Sequence, residues 1–264
     1  MKALLVDGLN LVRRIHAAVP APDPQPAAVM RSKHMEGVIS SSEASLQRAL
    51  RFHNPSHALV VFESDAPTWR HRLFPDYKRN RPAMPEDLRD GLPDLQRAFL
   101  AMGVRSFERS GYEADDVIGT MAKKIESNSG KSTILSTDRH YCQLLSPGIS
   151  VYDHFGGRPL DEEMIRQRFG IKPADLPFFF ALTGDPGKSI PGIRGVGPRT
   201  AARLVAEFPD LDTLLEASRE MTGKIGSKIL NGAEAAKTGL ALFQLRTDIE
   251  LGINLSQLRY RPAE

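Results

Sequence analysis

The chain contains a single cysteine, Cys142, and has no apolar stretch long enough to span a membrane. One cysteine cannot form an internal disulfide, so a disulfide-stabilised secreted protein is excluded and a reducing cytoplasm is expected. The first apolar run is short and is interrupted by Asp7 and Asn10, which argues against a signal peptide. An excess of one charge is also absent, because 35 Lys and Arg residues against 32 Asp and Glu residues leave a net charge of only +3. Net charge is therefore only a weak indication of a nucleic-acid partner.

Acidic residues are concentrated in the segment 111–119, which contains Glu113, Asp115 and Asp116. The apolar residues after them have helical spacing, so we expect the acids at the N-terminus of a helix over 114–127. Negative charge is favourable at a helix N-terminus, and a purely structural role for these acids therefore stays open.

Other acids each end a short apolar run of the sequence: Asp7, Glu63 and Asp138. Such runs, rich in β-branched residues, predict strands that are buried on both faces. Helical patterns lie between the runs, at 43–53, 87–102 and 114–127. This order predicts an α/β fold with a mainly parallel central sheet flanked by helices, whose sites lie beyond the carboxyl ends of the strands.

All of these acids are then expected along the same edge of the sheet. Carboxylates gathered in one cleft repel each other, and a hard divalent cation relieves that repulsion. Ligands that are all oxygen suit Mg²⁺ or Mn²⁺, and a structural Ca²⁺ site is the alternative.

A basic and aromatic segment follows the second apolar run. Its cations are Arg70, Arg72, Lys78, Arg79 and Arg81, and its interleaved rings are Trp69, Phe74 and Tyr77. Cations hold phosphates and rings stack on bases, which is what single-stranded nucleic acid requires. A solvated basic helix face with its rings in the core would give the same pattern, so both interpretations stay open.

A glycine-rich segment occupies 191–202 and predicts a helix–hairpin–helix near 182–208. Glycines let the backbone approach a phosphate, and the N-terminus of the next helix directs N–H groups at it. The residues expected to contact DNA there are Gly195, Val196, Gly197, Pro198, Arg199 and Thr200. A tight turn between packed helices is the alternative.

Several of these motifs, in this order, resemble the 5′-nuclease (flap endonuclease) family, which includes the N-terminal domain of bacterial DNA polymerase I. They are Val6-Asp7-Gly8, Tyr77-Lys78-x-x-Arg81-Pro82, Glu113-Ala114-Asp115-Asp116, Ser136-Thr137-Asp138 and the segment 192–197. The segments 13–17 and 141–147, and the lack of a polymerase portion, resemble the short, free-standing Xni (exonuclease IX) branch.

The resemblance implies a divalent-metal-dependent nuclease that cuts DNA at 5′ flaps or ends, with roles in DNA replication and repair. It implies metal ligands at Asp7, Glu113, Asp115, Asp116 and Asp138, of which we expect Asp115, Asp116 and Asp138 to bind directly. Around 70–95 it implies an arch for a single-stranded 5′ end, in which Tyr77 stacks on a base. Lys78 and Arg81 would meet the scissile phosphate and share catalysis with Asp115 and Asp116.

The resemblance also implies a K⁺ ion held by backbone carbonyls of the hairpin. The expected donors are Leu182, Thr183, Pro191, Ile193 and Val196. We expect residues 1–160 to form the nuclease core and 161–264 to form a helical DNA-binding part, and prolines between 20 and 26 predict an exposed loop.

Some positions depart from the family pattern. Glu63 and His140 stand where relatives commonly carry Asp, and Lys188 stands where a second acid near Asp185 is expected. A lysine ammonium opposes a cation, so we expect an impaired second metal position. Proton transfer by His16 or His140 is a weaker expectation, because a lone histidine is more often structural.

The function therefore stays open between a nuclease, a structure-selective DNA-binding protein with a vestigial site, and an RNA-cleaving nuclease.

Overall fold

The structure is a computed structural model that describes residues 1–20 and 27–261 of the 264-residue chain. Most of the proline-rich loop predicted at 20–26 lies outside the described residues. Within the described ranges, no helix combines the length and the apolar character that a membrane span requires.

A six-stranded sheet forms the centre of the N-terminal part. Its strands are β1 (Lys2–Asp7), β2 (His57–Val61), β3 (Arg105–Phe107), β4 (Lys131–Leu135), β5 (Ile149–Asp153) and β6 (Arg158–Pro159). They lie in the order β3-β2-β1-β4-β5-β6, and every neighbouring pair is parallel except β5 and β6. The mainly parallel sheet predicted from the apolar runs is thus confirmed.

Both faces of this sheet are covered by α1 (Gly8–Ala18), α2 (Ala27–His53), α4 (Glu86–Ala101) and α5 (Ala114–Ser127). The short α3 (Trp69–Leu73) instead contacts the C-terminal part, where Arg70 donates to the carbonyl of Leu242. Leu4 and Val6 of β1 belong to a core shared with α1, α2 and α4, whereas Ala3 and Leu5 belong to a core shared with α5. Alternate residues of one strand are therefore buried on opposite faces, which explains the continuous apolar run in the sequence.

Helix α2 is longer than the predicted helix at 43–53, because it begins at Ala27. Buried residues recur along it at three- or four-residue spacing, and they include Met35, Val38, Ser42, Ser45 and Leu46. The first half of the helix carries the polar run Arg31-Ser32-Lys33-His34 and then Gly37, so periodicity alone does not reveal it.

The C-terminal part is helical. Its helices are α6 (Glu162–Phe169), α7 (Leu176–Thr183), α8 (Pro198–Glu207), α9 (Leu211–Ala217), α10 (Lys224–Asn231) and α11 (Ala233–Phe243). A two-stranded hairpin of β7 (Gly184–Asp185) and β8 (Ile190–Pro191) separates α7 from α8. Short 3₁₀ helices cover Arg139–Leu144, Pro173–Asp175, Pro186–Lys188 and Leu255–Leu258.

Candidate active site

A cleft of about 340 Å³ opens at the carboxyl ends of β1 and β4. The strand order reverses between these two strands, which is where open parallel sheets form their binding sites. The cleft is lined chiefly by charged and polar residues: Asp7, Asn10, Glu63, Lys78, Arg81, Asp115, Asp138, Arg139, His140, Asp185 and Lys188. Acids that lie far apart in the sequence therefore share this edge of the sheet.

Three of the predicted carboxylates enter the cleft from three separate elements. Asp7 ends β1 and caps α1, accepting hydrogen bonds from the Asn10 backbone N–H at 3.1 Å and from Ser136 Oγ at 2.9 Å. Asp115 lies in the first turn of α5 and accepts a hydrogen bond from the Tyr141 hydroxyl at 2.8 Å. Asp138 caps the 3₁₀ helix after β4. Asp7 and Asp138 are therefore held as helix caps, whereas Asp115 is held by a side-chain hydrogen bond.

The pKa values of these three acids depend on their burial and on the charges of their neighbours. Burial, followed by the charge of Asp115, raises the pKa of Asp7 to about 7. Burial likewise raises the pKa of Asp115, with the charge of Asp138 adding to the effect. Burial would also raise the pKa of Asp138, but Lys188 and His140 outweigh it and hold that pKa well below its usual range. Lys188 partly offsets the effect of burial at Asp115, so the positive charge of the cleft acts more strongly on Asp138 than on Asp115.

The three carboxylates do not form a tight cage. Across the described part of the chain, no three cleft carboxylates bring one oxygen each within 4.8 Å of the other two. Two lysines contact acids at the cleft, since Lys188 Nζ lies 3.6 Å from Asp138 Oδ2 and Lys78 Nζ lies 3.5 Å from Glu63 Oε1. This spacing matches a partly hydrated ion better than a fully dehydrated one, and Mg²⁺ usually keeps several of its waters.

Asp116 contradicts the expectation that it binds metal directly. It is fully buried and its two oxygens accept hydrogen bonds from Arg70 Nη1 at 2.6 Å and Arg70 Nη2 at 2.8 Å. Trp69 Nε1 donates to it at 2.8 Å, and the backbone N–H of Arg246 donates at 3.0 Å. The reason is the helical geometry, because adjacent residues at the start of α5 point in different directions and Asp116 faces the core.

Glu113 belongs to the same buried network. Its Oε2 accepts hydrogen bonds from Arg70 Nη1 at 3.2 Å and the Tyr77 hydroxyl at 2.9 Å, and its Oε1 accepts one from Lys78 Nζ at 2.6 Å. Burial alone would raise the pKa of Glu113, but Lys78 and Arg70 outweigh burial and lower it to about 2. Glu113 is therefore a charged anchor for Lys78, and it does not line the cleft.

The basic segment divides between the core and the cleft. Tyr77 is buried with its hydroxyl bound to Glu113, so this structure contradicts the expectation that the ring is free to stack on a base. Arg70 is also buried, whereas Lys78 and Arg81 line the cleft as expected. Lys78 has a positive φ of 56°, and its backbone N–H donates to the carbonyl of Lys188 at 2.8 Å. This contact ties the base of the segment to the turn that follows β7.

The glycine-rich hairpin depends on close backbone contacts. A Cβ at Gly192 would lie 2.5 Å from the carbonyl oxygen of Thr183, and the backbone N–H of Ile193 donates to Leu182 at 2.8 Å. Of the five residues expected to hold K⁺ through their carbonyls, Leu182 and Ile193 already accept one backbone hydrogen bond each, from the N–H groups of Ile193 and Val196.

The exposed part of this turn leads into α8. Gly195 has a φ of 81°, Gly197 caps α8, and Pro198 and Arg199 are exposed in its first turn, with Thr200 partly exposed. The side chain of Val196 is buried, so only its backbone is available to a ligand. Lys228, which sequence reasoning missed, donates from Nζ to the carbonyl of Gly195 at 3.3 Å. The hairpin therefore presents cations beside an exposed helix N-terminus.

The two histidines considered for proton transfer lie in different places. His140 lines the cleft, and its Nδ1 lies 2.7 Å from Asp138 Oδ1. His16 lies outside the cleft and contacts Asp87. Sequence reasoning also missed Asn10, whose amide donates to Thr137 Oγ1 at 2.9 Å and so links α1 to the loop after β4. Its position three residues after Asp7, in the first turn of a helix, was the available signal.

The donor set of the cleft fits a hard divalent cation. Asp7, Asp115 and Asp138 offer only oxygen. A cation near Asp7 and Asp115 would favour the ionised form of Asp7, whose pKa is raised by burial and then by the charge of Asp115. On the other wall Lys188 already supplies positive charge next to Asp138. One strong cation position is therefore compatible with these residues, and a second beside Lys188 is disfavoured.

Comparisons with known proteins point to a single family. Two family profiles match consecutive parts of the chain: the 5′-3′ exonuclease N-terminal resolvase-like domain matches residues 2–170, and the 5′-3′ exonuclease C-terminal SAM fold matches residues 171–264. The chain is 39% identical to the flap endonuclease Xni of Photobacterium profundum over 260 residues, covering 97% of this chain and 96% of the relative. It is 38% identical to the flap endonuclease Xni of Shewanella halifaxensis, covering 98% of both chains.

Solved structures share the fold at lower identity. The T5 5′-exonuclease with bound divalent metal ions (zinc) superimposes with a TM-score of 0.79 at 20% identity, covering 94% of this chain and 90% of that one. The catalytic core of Rad2 in complex with DNA substrate gives a TM-score of 0.58 at 15% identity, covering 99% and 82%. These two likenesses support the fold assignment.

Proposed function

The chain belongs to the 5′-3′ exonuclease family, and we propose that it is a divalent-metal-dependent DNA 5′-nuclease of the flap endonuclease type. It hydrolyses phosphodiester bonds at 5′ flaps or 5′ ends, as the name of its relatives indicates. The metal in this proposal is Mg²⁺ or Mn²⁺, because the cleft offers hard oxygen ligands. The single cysteine supports a cytoplasmic location.

The observation that carries the proposal is the convergence of Asp7, Asp115 and Asp138 in one cleft that Lys78 and Arg81 also line. A phosphodiester placed there would meet carboxylates that hold a cation and side-chain cations that offset charge on the phosphate. Neither group alone hydrolyses DNA, and their combination in one cleft indicates phosphoryl transfer to water.

Each residue has a separate task in this proposal. Asp7, Asp115 and Asp138 would hold the divalent ion, directly or through its waters, and that ion would lower the pKa of water and neutralise charge on the phosphate. Lys78, held by Glu113, and Arg81 stabilise the charge that develops on the phosphate oxygens. Arg70 and Asp116 position α3 and α5 and do not touch the substrate. Asp116 is therefore proposed as a structural residue instead of a ligand.

We further propose that the hairpin holds the duplex next to the cleft. The exposed backbone of Gly195 and Gly197 and the first turn of α8 bind phosphates without reading bases. K⁺ bound by hairpin carbonyls would add positive charge there. In this division residues 1–160 form the nuclease core and 161–264 form the DNA-binding part.

The test is cleavage of a 5′-labelled flap substrate by the purified full-length protein. We expect cleavage with Mg²⁺ and none with EDTA. The variant Asp115→Asn should lose at least about a hundredfold in rate, because one ligand of the cation is gone, while it keeps its affinity for the flap in Ca²⁺ or EDTA. The matched control is Asp212→Asn, an exposed aspartate in the first turn of α9.

The outcomes separate the nuclease from the DNA-binding alternative. A wild-type protein that binds the flap but never cuts it with Mg²⁺ or Mn²⁺ would establish a binding protein with a vestigial site. Cleavage that is unchanged in Asp115→Asn would show that the cleft is not the reaction centre. Replacement of K⁺ by Na⁺ should weaken duplex binding if the hairpin holds K⁺, with flap cleavage at saturating enzyme as the control.

A further inference from the structure

A second group of metal-ligating side chains lies outside the cleft. His16 of α1, His34 of α2 and Asp87 of α4 bring one donor atom each within 4.8 Å of the other two. His16 Nε2 lies 3.0 Å from Asp87 Oδ2, and His34 Nδ1 lies 3.0 Å from the same oxygen. Across the described residues, this is the one set of three such side chains that meets this distance.

The chemistry of this set differs from that of the cleft. Two imidazole nitrogens and one carboxylate oxygen suit borderline transition ions such as Zn²⁺, whereas the cleft offers oxygen alone. In a tetrahedral site with bonds of about 2.0–2.1 Å, donor atoms lie about 3.3 Å apart, close to the two His–Asp separations. The two imidazole rings meet edge to face with centroids 4.6 Å apart, so they are not stacked against each other.

The site is accessible without being fully exposed. The exposed fraction of the side chain is 14% for His16, 14% for His34 and 17% for Asp87. An ion can therefore reach the site from solvent and still lose most of its water. Three protein ligands leave one tetrahedral position open to solvent.

We propose that His16, His34 and Asp87 form a binding site for a divalent transition ion of the Zn²⁺ class, separate from the nuclease cleft. The position of this site between α1, α2 and α4 indicates a structural role next to the cleft. Helix α1 begins directly after Asp7 of the cleft, and α4 begins shortly after Arg81. A bound ion would tie α1, α2 and α4 together and fix the basic segment 70–85 against the core.

A neighbouring contact supports this role. Arg13, one turn before His16 on α1, donates from Nη2 to the carbonyl of Pro82 at 3.3 Å. The end of the basic segment therefore already rests on α1, and the metal site lies just beyond that contact. Without metal, each imidazole donates one N–H to Asp87, and this hydrogen-bonded cluster is the alternative that the experiment must exclude.

The experiment is a Zn²⁺ titration of the full-length protein by calorimetry, beside His34→Asn, Asp87→Asn and Asp115→Asn. The control is His57→Asn, a histidine at the start of β2. We expect wild type to bind one equivalent of Zn²⁺ outside the cleft, and the affinity of that equivalent should be at least about tenfold lower in His34→Asn and in Asp87→Asn. That equivalent should persist in Asp115→Asn and in His57→Asn. Histidine ¹⁵N spectra should show Zn²⁺-dependent shifts at His16 Nε2 and His34 Nδ1.

The outcomes are decisive because no step depends on DNA cleavage. Zn²⁺ binding that is unaffected by both His34→Asn and Asp87→Asn, or that disappears only in Asp115→Asn, would overturn the proposal. So would histidine spectra that Zn²⁺ leaves unchanged. If one variant fails to fold by circular dichroism, the other variant and the wild-type spectra still decide.

Discussion

Two adjacent residues of α5, Asp115 and Asp116, belong to opposite electrostatic environments. Asp115 faces the cleft, where burial and neighbouring acids raise its pKa. Asp116 faces the core, where the guanidinium of Arg70 binds both of its oxygens. In the cleft, the carboxylates of Asp7 and Asp115 keep raised pKa values because the protein does not fully compensate their charge. In the buried network, Arg70 compensates the charge of Asp116.

This contrast explains why acids in one motif need not share one function. An ionised carboxylate in the core is tolerated only with a charged and hydrogen-bonded partner. A carboxylate at the edge of a cleft can instead remain under-compensated, at some cost in stability, and bind an ion from solution. We therefore expect ion binding at the cleft carboxylates, whose charge the protein does not fully compensate, and a structural role for Asp116.

The largest expected effect comes from breaking the buried network. Asp116→Asn removes the partner of Arg70 and leaves a guanidinium buried with fewer acceptors, so we expect a loss of about 3–5 kcal/mol in the free energy of unfolding. Asp115→Asn should change it by less than about 1 kcal/mol, since it relieves repulsion in the cleft. Urea denaturation of the metal-free proteins measures both.

The double variant Arg70→Met with Asp116→Leu sharpens this test. It removes both charges together, so part of the lost stability should return. Recovery stays incomplete because Trp69 Nε1 and the Arg246 backbone N–H lose their shared acceptor. A protein in which Asp116→Asn is as stable as wild type would refute the assignment of Asp116 to the core.

The second expected effect is opposite pH dependence in the two environments. The pKa of Glu113 is lowered from 4.5 to about 2, so its stabilising contribution is present above pH 4.5 and is lost as pH falls toward 2. The pKa of Asp7 is raised from 3.8 to about 7, so the folded state holds a proton that the unfolded state releases, and stability falls as pH rises from about 4 to 7.

The measurement is urea denaturation between pH 3 and pH 8 in EDTA and in Mg²⁺. We expect the fall between pH 4 and pH 7 to be on the order of 1–3 kcal/mol in EDTA, and to be smaller with Mg²⁺, which binds the ionised form. Asp7→Asn should reduce this fall, and the raised pKa of Asp115 accounts for a remaining part. A fall of the same size in Asp7→Asn would show that Asp7 is not its origin.

The third effect concerns Lys188, the cleft lysine that lies next to Asp138. Lys188→Asp should strengthen Mn²⁺ binding by about tenfold, because an ammonium 3.6 Å from Asp138 is replaced by a ligand oxygen. Lys188→Gln removes the charge without adding a carboxylate and should show a smaller increase. Mn²⁺ titration followed by electron paramagnetic resonance measures the affinity, and equal affinities in all three proteins would contradict an electrostatic role for Lys188.

More of the cleft than of the buried network could be predicted from the sequence. Asp7 and Asp138 follow apolar runs, so local pattern alone predicts their common edge, and the structure confirms the sheet that places them there.

The partner of Asp116 could not be predicted in this way. Arg70 lies 46 residues earlier in a run of cations, and nothing local distinguishes a buried guanidinium from its exposed neighbours Arg72 and Arg79. The role of Tyr77 was predicted wrongly for the same reason. A tyrosine whose hydroxyl binds Glu113 and a tyrosine whose ring stacks on a base look alike in sequence.

The smallest expected effect lies at the hairpin, where positive charge is exposed and screened. Arg199→Gln removes one phosphate contact in the first turn of α8, so duplex binding should weaken uniformly across sequences and the slope of log K against log salt should decrease by about 1. Arg203→Gln, one turn further along the same helix and also exposed, is the matched control and should leave the slope unchanged. Equal slopes for wild type and Arg199→Gln would exclude α8 from the DNA interface. Such a result would leave the cleft intact, because Arg199 neither lines it nor contacts the buried network.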